Sequence, residues 1–431
     1  MARVRPFAAW RYARPDRDLS EVAAPPYDVI SPSQREALLA KDPHNVVALE
    51  LPEGPLDPAV PGNRYATGKE TWNNWRAQGV LAQDPKPAVY VLEQRFDLDG
   101  RQVARRAFIA QVDLEPFDAG VVLAHEKTLP KALGDRFELL KATGANLSQV
   151  FGLYEDPSCV TDALFERVMS QDPISVATDD DGVASTLWRT SDSDVVDALS
   201  THMQGSRIFI ADGHHRYTVA LAYRDLRRTQ ASADEPPVDP AYDAVMMALV
   251  NMDDPDLAVL PYHRIVDGAP GFDSEKFLAS LSEWFDVSDP ADSDDLGLLE
   301  GHERAAFLIK TRDDARPRLV VLRPDVDLDS VIDVDHSGLW KRLDVSVLQE
   351  LVLWPLLGVH PNRTETLDRI RFTNKAAAAF SATAEHDVAF VLRPTGLEQL
   401  RSISLAGETM PQKSTYFYPK LPSGLVIRSA E

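Results

Sequence analysis

The 431 residues are 44% hydrophobic and 26% charged, an ordinary balance for a soluble globular protein with enough apolar material for one large or two medium domains. Asp and Glu number 67 against 45 Lys and Arg, a net charge of −22, which argues against a nucleic-acid surface spread over the molecule and leaves room only for a local basic cleft. A single cysteine, Cys159, rules out an intramolecular disulfide and a cysteine metal cluster and fits a reducing compartment. The first residues hold no long apolar stretch, and no run approaches the roughly 18 apolar residues of a membrane span, so a cytosolic protein is expected.

In chain order, residues 4–10 read as a short strand. Pro25-Pro26 forces an extended loop, and Ser31-Pro32 opens a helix through residue 39. Tyr27 and Asp28 are held between the two, either as a functional pair or as a capped surface turn. Residues 65–78 form an amphipathic helix with Trp72 and Trp75 on one face. Residues 88–96 and 101–112 alternate as strands around an Asp99-Gly100 turn, a hairpin pattern. A polar concentration follows: His125-Glu126-Lys127-Thr128, Lys131, Asp135-Arg136 and Asn146. It is not a zinc-protease signature, because Leu129 stands where the second histidine belongs. Residues 135–141 read as helix with Phe137 and Leu140 inward and Arg136 on another face, suited to a charged substrate or to an exposed salt-bridged surface.

A strand at 149–154 and helices at 158–169 and 195–203 lead to the densest polar chemistry in the chain, Ala211-Asp212-Gly213-His214-His215-Arg216-Tyr217. An apolar β-branched run ends there, a Gly turns the chain, and apolar residues at helical spacing continue to Leu226. A strand, a tight turn and a helix start at one place aim backbone N–H groups at a single spot, as an anion requires. Gly213 lets a ligand approach the main chain, Arg216 can fork onto a phosphate, and His214 and His215 can donate to one. Adjacent helical histidines point about 100° apart, which suits phosphate better than chelation of one metal ion. Beyond the turn, residues 228–239 read as a loop, 244–252 and 257–266 as strands, and 272–284 as a helix. Residues 290–295 form an acidic loop, 305–310 pair with 318–322, and 344–353 form an apolar helix ended by Pro355. A helix at 375–384 and a strand at 388–392 precede an aromatic, basic tail at 410–422 that docks on the body. Mixed strands and helices, with hairpins outnumbering parallel units, give an α+β fold. The expected domains are 1–268, carrying the turn, and 269–431, with the docked tail.

Five ordered motifs resemble a bacterial and archaeal family catalogued as domain of unknown function ten-fifteen: residues 24–30, 125–128, Asp135-Arg136 with Asn146, residues 211–217 and residues 410–420. The Gly-His-His-Arg turn alone is similar to the nucleotide-phosphate turn of the ParB/sulfiredoxin superfamily, whose members include free-serine kinases. That resemblance implies that His215 and Arg216 contact phosphate, and it puts His214 where sulfiredoxin has its reactive cysteine, which excludes that chemistry here. The function it implies is phosphoryl transfer from ATP or ADP, with Mg²⁺, to a hydroxyl of a small metabolite such as L-serine. Gly213, His214, His215 and Arg216 are then the nucleotide site, Glu126 the base with Asp28 as second choice, and Asp212 a Mg²⁺ ligand or a group that orients a histidine. His125, Lys127, Lys131, Arg136 and Asn146 are expected to bind substrate. The competing readings are a non-catalytic, ParB-like nucleotide-binding regulator and a scaffold whose histidine turn is structural. The acceptor, the choice of ATP or ADP, and the oligomeric state stay open.

Overall fold

The hairpin expected around Asp99-Gly100 is the spine of the nine-stranded sheet. Both turn residues take positive φ (+52° and +81°), the geometry that matches the twist of the strands they join, and Val89–Leu98 pairs antiparallel with Arg101–Asp113 over nine residues. The computed structural model describes residues 1–14, 16–128, 130–231, 238–290, 296–360 and 364–431, with the side chains of 130–132, 290, 364–365 and 367 excepted.

These residues fall into two compact units. The first comprises Met1–Ala124, Thr128–Ala258 and Pro419–Glu431, and the second His125–Lys127 and Val259–Tyr418. This division differs from the expected single cut after residue 268: three residues of the first polar motif belong to the second unit, and the last thirteen residues to the first. Backbone pairing accounts for both exchanges. Met410 N donates to His125 O at 2.8 Å, while Ser423, Ile427 and Arg428 bridge to Ala24, Trp10 and Asn146.

The sheet of the first unit runs in the order Val122–Leu123, Ile208–Asp212, Val150–Tyr154, Ala244–Asn251, Arg101–Asp113, Val89–Leu98, Ala184–Thr190, Ser175–Thr178, with Val4–Arg5 also on Arg101–Asp113. Two pairs are parallel, Ile208–Asp212 with Val122–Leu123 and Ala244–Asn251 with Val150–Tyr154, and the others antiparallel, so the sheet is mixed and the fold α+β. Every residue of Ala244–Asn251 and of Val150–Tyr154 is buried, as expected of strands covered on both faces. Phe108, Tyr154, Phe165, Leu199, Ile210 and Tyr217 are part of one apolar cluster. The helix carrying the tryptophans spans Arg64–Ala77 with Asn63 as its cap, and Trp72 and Trp75 are both buried.

The second unit is built on an antiparallel sheet in the order Phe285–Pro290, Arg318–Leu322, Ala306–Thr311, Val388–Leu392, His263–Val266, Ile370–Thr373. The strand expected over 257–266 is broken at Pro261, which cannot donate to a ladder, into Ala258–Leu260 and His263–Val266. The helix beginning at Asp344 does not stop at Pro355: Gln349–Leu353 widens to a π-helix and Trp354–Leu357 continues it to Gly358. The wider turn takes up the missing proline N–H that would break a regular α-helix. Of the acidic loop expected at 290–295 and the loop expected at 228–239, residues 291–295 and 232–237 lie outside the described residues, Pro290 ends the strand from Phe285 and residues 228–230 continue the helix from His214. Among the described residues no helix is long and apolar enough to cross a membrane.

Candidate functional site

Ile208–Asp212 is held between Val122–Leu123 and Val150–Tyr154. Its register slips between Ile210 and Asp212, so Ala211 is an extra residue, a β-bulge that bends the strand end. Gly213 follows with φ +91° and ψ 26°, a left-handed conformation costly to other residues, and the helix His214–Gln230 begins at once. Tyr217 N closes the first turn onto Gly213 O at 3.0 Å. Tyr217, Val219, Ala220 and Tyr223 bury the inner face of the helix. The Tyr217 hydroxyl fixes its orientation, donating to Glu115 O at 2.8 Å and accepting from Glu115 N at 3.0 Å. Gly213 supplies no side chain to cap this helix, and the positive end of the helix dipole lies at its first turn. His214 is buried and His215 half-buried in that turn.

Arg216 folds back over Gly213. A Cβ at position 213 would lie 2.9 Å from its Nε and 3.1 Å from its Cζ, so another residue there would have to displace Arg216 as well as take a costly φ. Arg216 Nη2 donates to Asp212 Oδ1 at 3.1 Å, Nη1 donates to Gln149 O, and the buried Nε has no hydrogen-bond partner among the described residues. The other oxygen of Asp212 accepts from Lys420 Nζ at 2.6 Å. The Asp212 carboxylate therefore carries one cation on each oxygen, with all three side chains mostly buried. Lys420 is delivered by the final segment, which is tied down where Pro419 O accepts from Arg105 Nη2 at 2.7 Å and Lys420 O accepts from Gln94 Nε2 at 3.2 Å. Burial pulls the Arg105 guanidinium down to about 9. Burial also works against the charge of Arg216, but Asp212, Asp28, Tyr27 and Glu50 outweigh it and leave its pKa raised.

Beside Arg216 is a small pocket of about 50 Å³, lined by Tyr27, Glu50, Arg136, Asn146, Ser148 and Arg216 among others. At about 30 Å³ per water it has room for one or two waters or one small polar group, not for a nucleotide. Arg136 does not project to solvent. It is buried over the Tyr27 ring at 4.2 Å, donates to Asp135 Oδ2 from Nε at 2.9 Å and Nη2 at 2.6 Å, and reaches Glu50 O at 2.8 Å and Glu50 Oε2 at 3.4 Å from Nη1. These partners make Arg136 a wall of the pocket rather than part of an exposed salt-bridged surface, one of the two readings of its helix. Burial raises the Tyr27 phenol to about 12, against the opposing pull of Arg136 and Arg216. Glu50 is buried and its Oε1 has no hydrogen-bond partner among the described residues. Asn146 Oδ1 accepts from Met246 N at 3.2 Å and Arg428 Nη1 at 3.1 Å.

The first unit thus gathers Tyr27, Asp28, Arg136, Asn146, Asp212, Gly213 and Arg216. Asp28 is exposed in the short 3₁₀ turn Tyr27–Val29 and acts on Arg216 through its charge. His125, Glu126 and Lys127 belong to the second unit. There His125 is buried, with Nε2 3.0 Å from Thr415 Oγ1; burial pulls the Arg264 guanidinium down to about 10 against the opposing pull of Glu126, which bridges to Met410; and Lys127 is exposed. The Lys131 side chain lies outside the described residues. Among the described residues no group of three or more His, Cys, Asp and Glu is placed to hold a metal ion. Two residues of the site were not assigned a role from the sequence. Lys420 stood inside the aromatic, basic tail motif, whose charge was the available signal, whereas Glu50, in the apolar run Val-Ala-Leu-Glu, offered none.

The sequence matches the family model described as Protein of unknown function (DUF1015) over residues 4–346, and the chain belongs to that family. No curated protein matches it. Among solved structures it is similar to a free serine kinase variant in complex with AMP, at 14% identity and a TM-score of 0.36 over 72% of this chain and 87% of that one. It is also similar to a conserved hypothetical protein from Pyrococcus furiosus, at 13% and 0.35 over 75% and 95%. A third is C-terminally truncated SbnI from Staphylococcus aureus, at 11% and 0.35 over 75% and 88%.

Proposed function

We propose that this DUF1015 protein is a nucleotide-dependent small-molecule kinase, moving the terminal phosphoryl group of ATP or ADP to a hydroxyl of a small metabolite such as L-serine. The observation that carries the reading is the pairing of Arg216 and Lys420 on the two oxygens of Asp212, at the uncapped start of a seventeen-residue helix. Two cations beside the positive end of a helix are what a polyphosphate needs, and the Asp212 carboxylate keeps them placed until it arrives. Gly213, His214, His215 and Arg216 are the proposed nucleotide site. In the transfer the bond from the terminal phosphorus to its bridging oxygen breaks, a bond to the acceptor oxygen forms, and the hydroxyl proton passes to a carboxylate. Glu126 is the proposed base and Asp28 the second candidate. His125, Lys127, Lys131, Arg136 and Asn146 are proposed to bind substrate, Arg136 and Asn146 as walls of the small pocket. Asp212 is the proposed Mg²⁺ ligand: an oxygen of its carboxylate would become available as Lys420 turns to phosphate, and the ion would neutralise phosphate charge there.

The test is to incubate purified protein with Mg²⁺, ATP or ADP and L-serine, then with a panel of other hydroxyl metabolites, and to follow products by ³¹P NMR. A phosphorylated acceptor that disappears with Arg216→Ala supports the kinase. Saturable nucleotide binding without turnover on any acceptor overturns it in favour of a ParB-like regulator, and no nucleotide binding leaves the turn a structural scaffold.

A further inference from the structure

The second unit holds a cavity of about 340 Å³, lined among others by Lys127, His336, Trp340, Gln349, Glu350 and His360. That volume is within the range of small-molecule sites, roughly 300–1,000 Å³. Its backbone is unusual where it matters: the π-helix Gln349–Leu353 places two polar residues, Gln349 and Glu350, on the cavity wall, and such widened turns recur at functional sites.

His336 is held on two sides. Its ring stacks on the buried Trp340 with centroids 4.2 Å apart and planes 12° from parallel, and Trp340 is anchored by its Nε1, which donates to Thr409 O at 2.9 Å. Its Nδ1 lies 3.1 Å from Glu408 Oε1. The same carboxylate accepts from Ser337 N at 2.7 Å and from the Ser337 hydroxyl. Burial pushes the Glu408 carboxyl up, but the bonds from Ser337 and His336 outweigh it and hold it below the usual carboxylate range. An ionised carboxylate only accepts, so Nδ1 bears a proton, and where the ring is neutral Nε2 is left as an acceptor. Nε2 has no hydrogen-bond partner among the described residues. Lys127 is exposed on the same cavity and makes no ion pair among the described residues. Asp335 and Glu350 also line it, which favours a ligand of single negative charge over one of several.

We propose that this cavity binds a small hydroxycarboxylate, its hydroxyl donating to His336 Nε2 and its carboxylate paired with Lys127. The proposal does not rest on the nucleotide turn and is tested without nucleotide; Lys127 is common to it and to the proposed kinase substrate contacts. Protein labelled with ¹⁵N in histidine is titrated with two matched pairs, quinate against cyclohexanecarboxylate and gluconate against hexanoate, while the His336 ring nitrogens are followed by NMR. The free protein is expected to show the Nδ1–H tautomer. The hydroxylated acid of at least one pair is expected to move the Nε2 resonance and to bind about tenfold more tightly than its deoxygenated partner, the worth of one hydrogen bond. His336→Phe, which keeps the stack on Trp340, removes that tenfold preference, and Lys127→Met weakens both acids of the pair. An Nε2–H tautomer, equal affinity within both pairs, or an unmoved Nε2 resonance throughout overturns the proposal, whether or not either variant folds.

Discussion

Replacing Gly213 by alanine separates the two demands that the turn makes on that position. The backbone at φ +91° costs an L-residue about 1–2 kcal/mol. The added Cβ would stand 2.9 Å from Arg216 Nε and 3.1 Å from its Cζ. The guanidinium can swing away, but only by giving up its 3.1 Å bond to Asp212, and a hydrogen bond between charged groups is worth about 1.5–3 kcal/mol. The Gly213→Ala protein should therefore lose about 2.5–5 kcal/mol of local stability. Because two units can unfold separately, hydrogen exchange of Ile208–Asp212 and His214–Gln230, read by mass spectrometry, is a better assay than a single melting curve. Asparagine tolerates the left-handed region, so Gly213→Asn should recover the backbone part and keep the collision. Nucleotide affinity should drop about tenfold or more in both. In an Arg216→Ala background the same Gly213→Ala change should cost only the backbone part. If the two single effects simply add, within about 0.5 kcal/mol, Arg216 does not lie across Gly213 in solution and the reasoning is refuted.

Asp212→Asn leaves two mostly buried cations without their shared carboxylate and should destabilise the first unit by about 3 kcal/mol, seen as faster exchange in Pro419–Glu431. Unchanged exchange there would show that Lys420 is held by something else. Burial, with help from Arg264, lowers the His263 pKa to about 4, while its Nδ1 accepts from Leu392 N at 3.3 Å. The unfolded imidazole titrates near 6.5, so it binds the extra proton first: the second unit keeps this stability above about pH 6.5 and loses on the order of 3 kcal/mol as pH falls to about 4. Exchange in His263–Val266 that is flat across that window contradicts it. Glu126→Gln should cut turnover about a hundredfold or more with nucleotide affinity unchanged, and Asp28→Asn far less; the reverse order, measured by ³¹P NMR, moves the role of base to Asp28.

Local chemistry was legible and distant pairing was not. The strand, glycine turn and helix around Gly213 follow from residues within a few positions of one another, as do the Asp99-Gly100 hairpin and the Ser31 cap of Pro32–Lys41. The strands Ser175–Thr178 and Ala184–Thr190 were passed over: polar residues interrupt them, and pairing with Val89–Leu98 secures the second. The sequence leaves Arg136 open between a charged substrate and an exposed salt bridge because Glu50, its buried partner, lies 86 residues away and carries no local signal. The same blindness covers Lys420 on Asp212, 208 residues apart, and Met410 on His125, and these long-range contacts underlie the exchange of segments between the units. Pro355 reads as a helix stop because a regular helix cannot lose that N–H, and the π-turn before it is a solution that no propensity announces.

The most direct test of the central claim is a crystal structure of the protein grown with ADP and Mg²⁺. The terminal phosphate is predicted on the first turn of His214–Gln230, contacted by the N–H groups of residues 214–216 and by the Arg216 guanidinium, with Lys420 turned toward it. Well-defined ADP bound elsewhere, with Arg216 and Lys420 still paired on Asp212, would contradict the account.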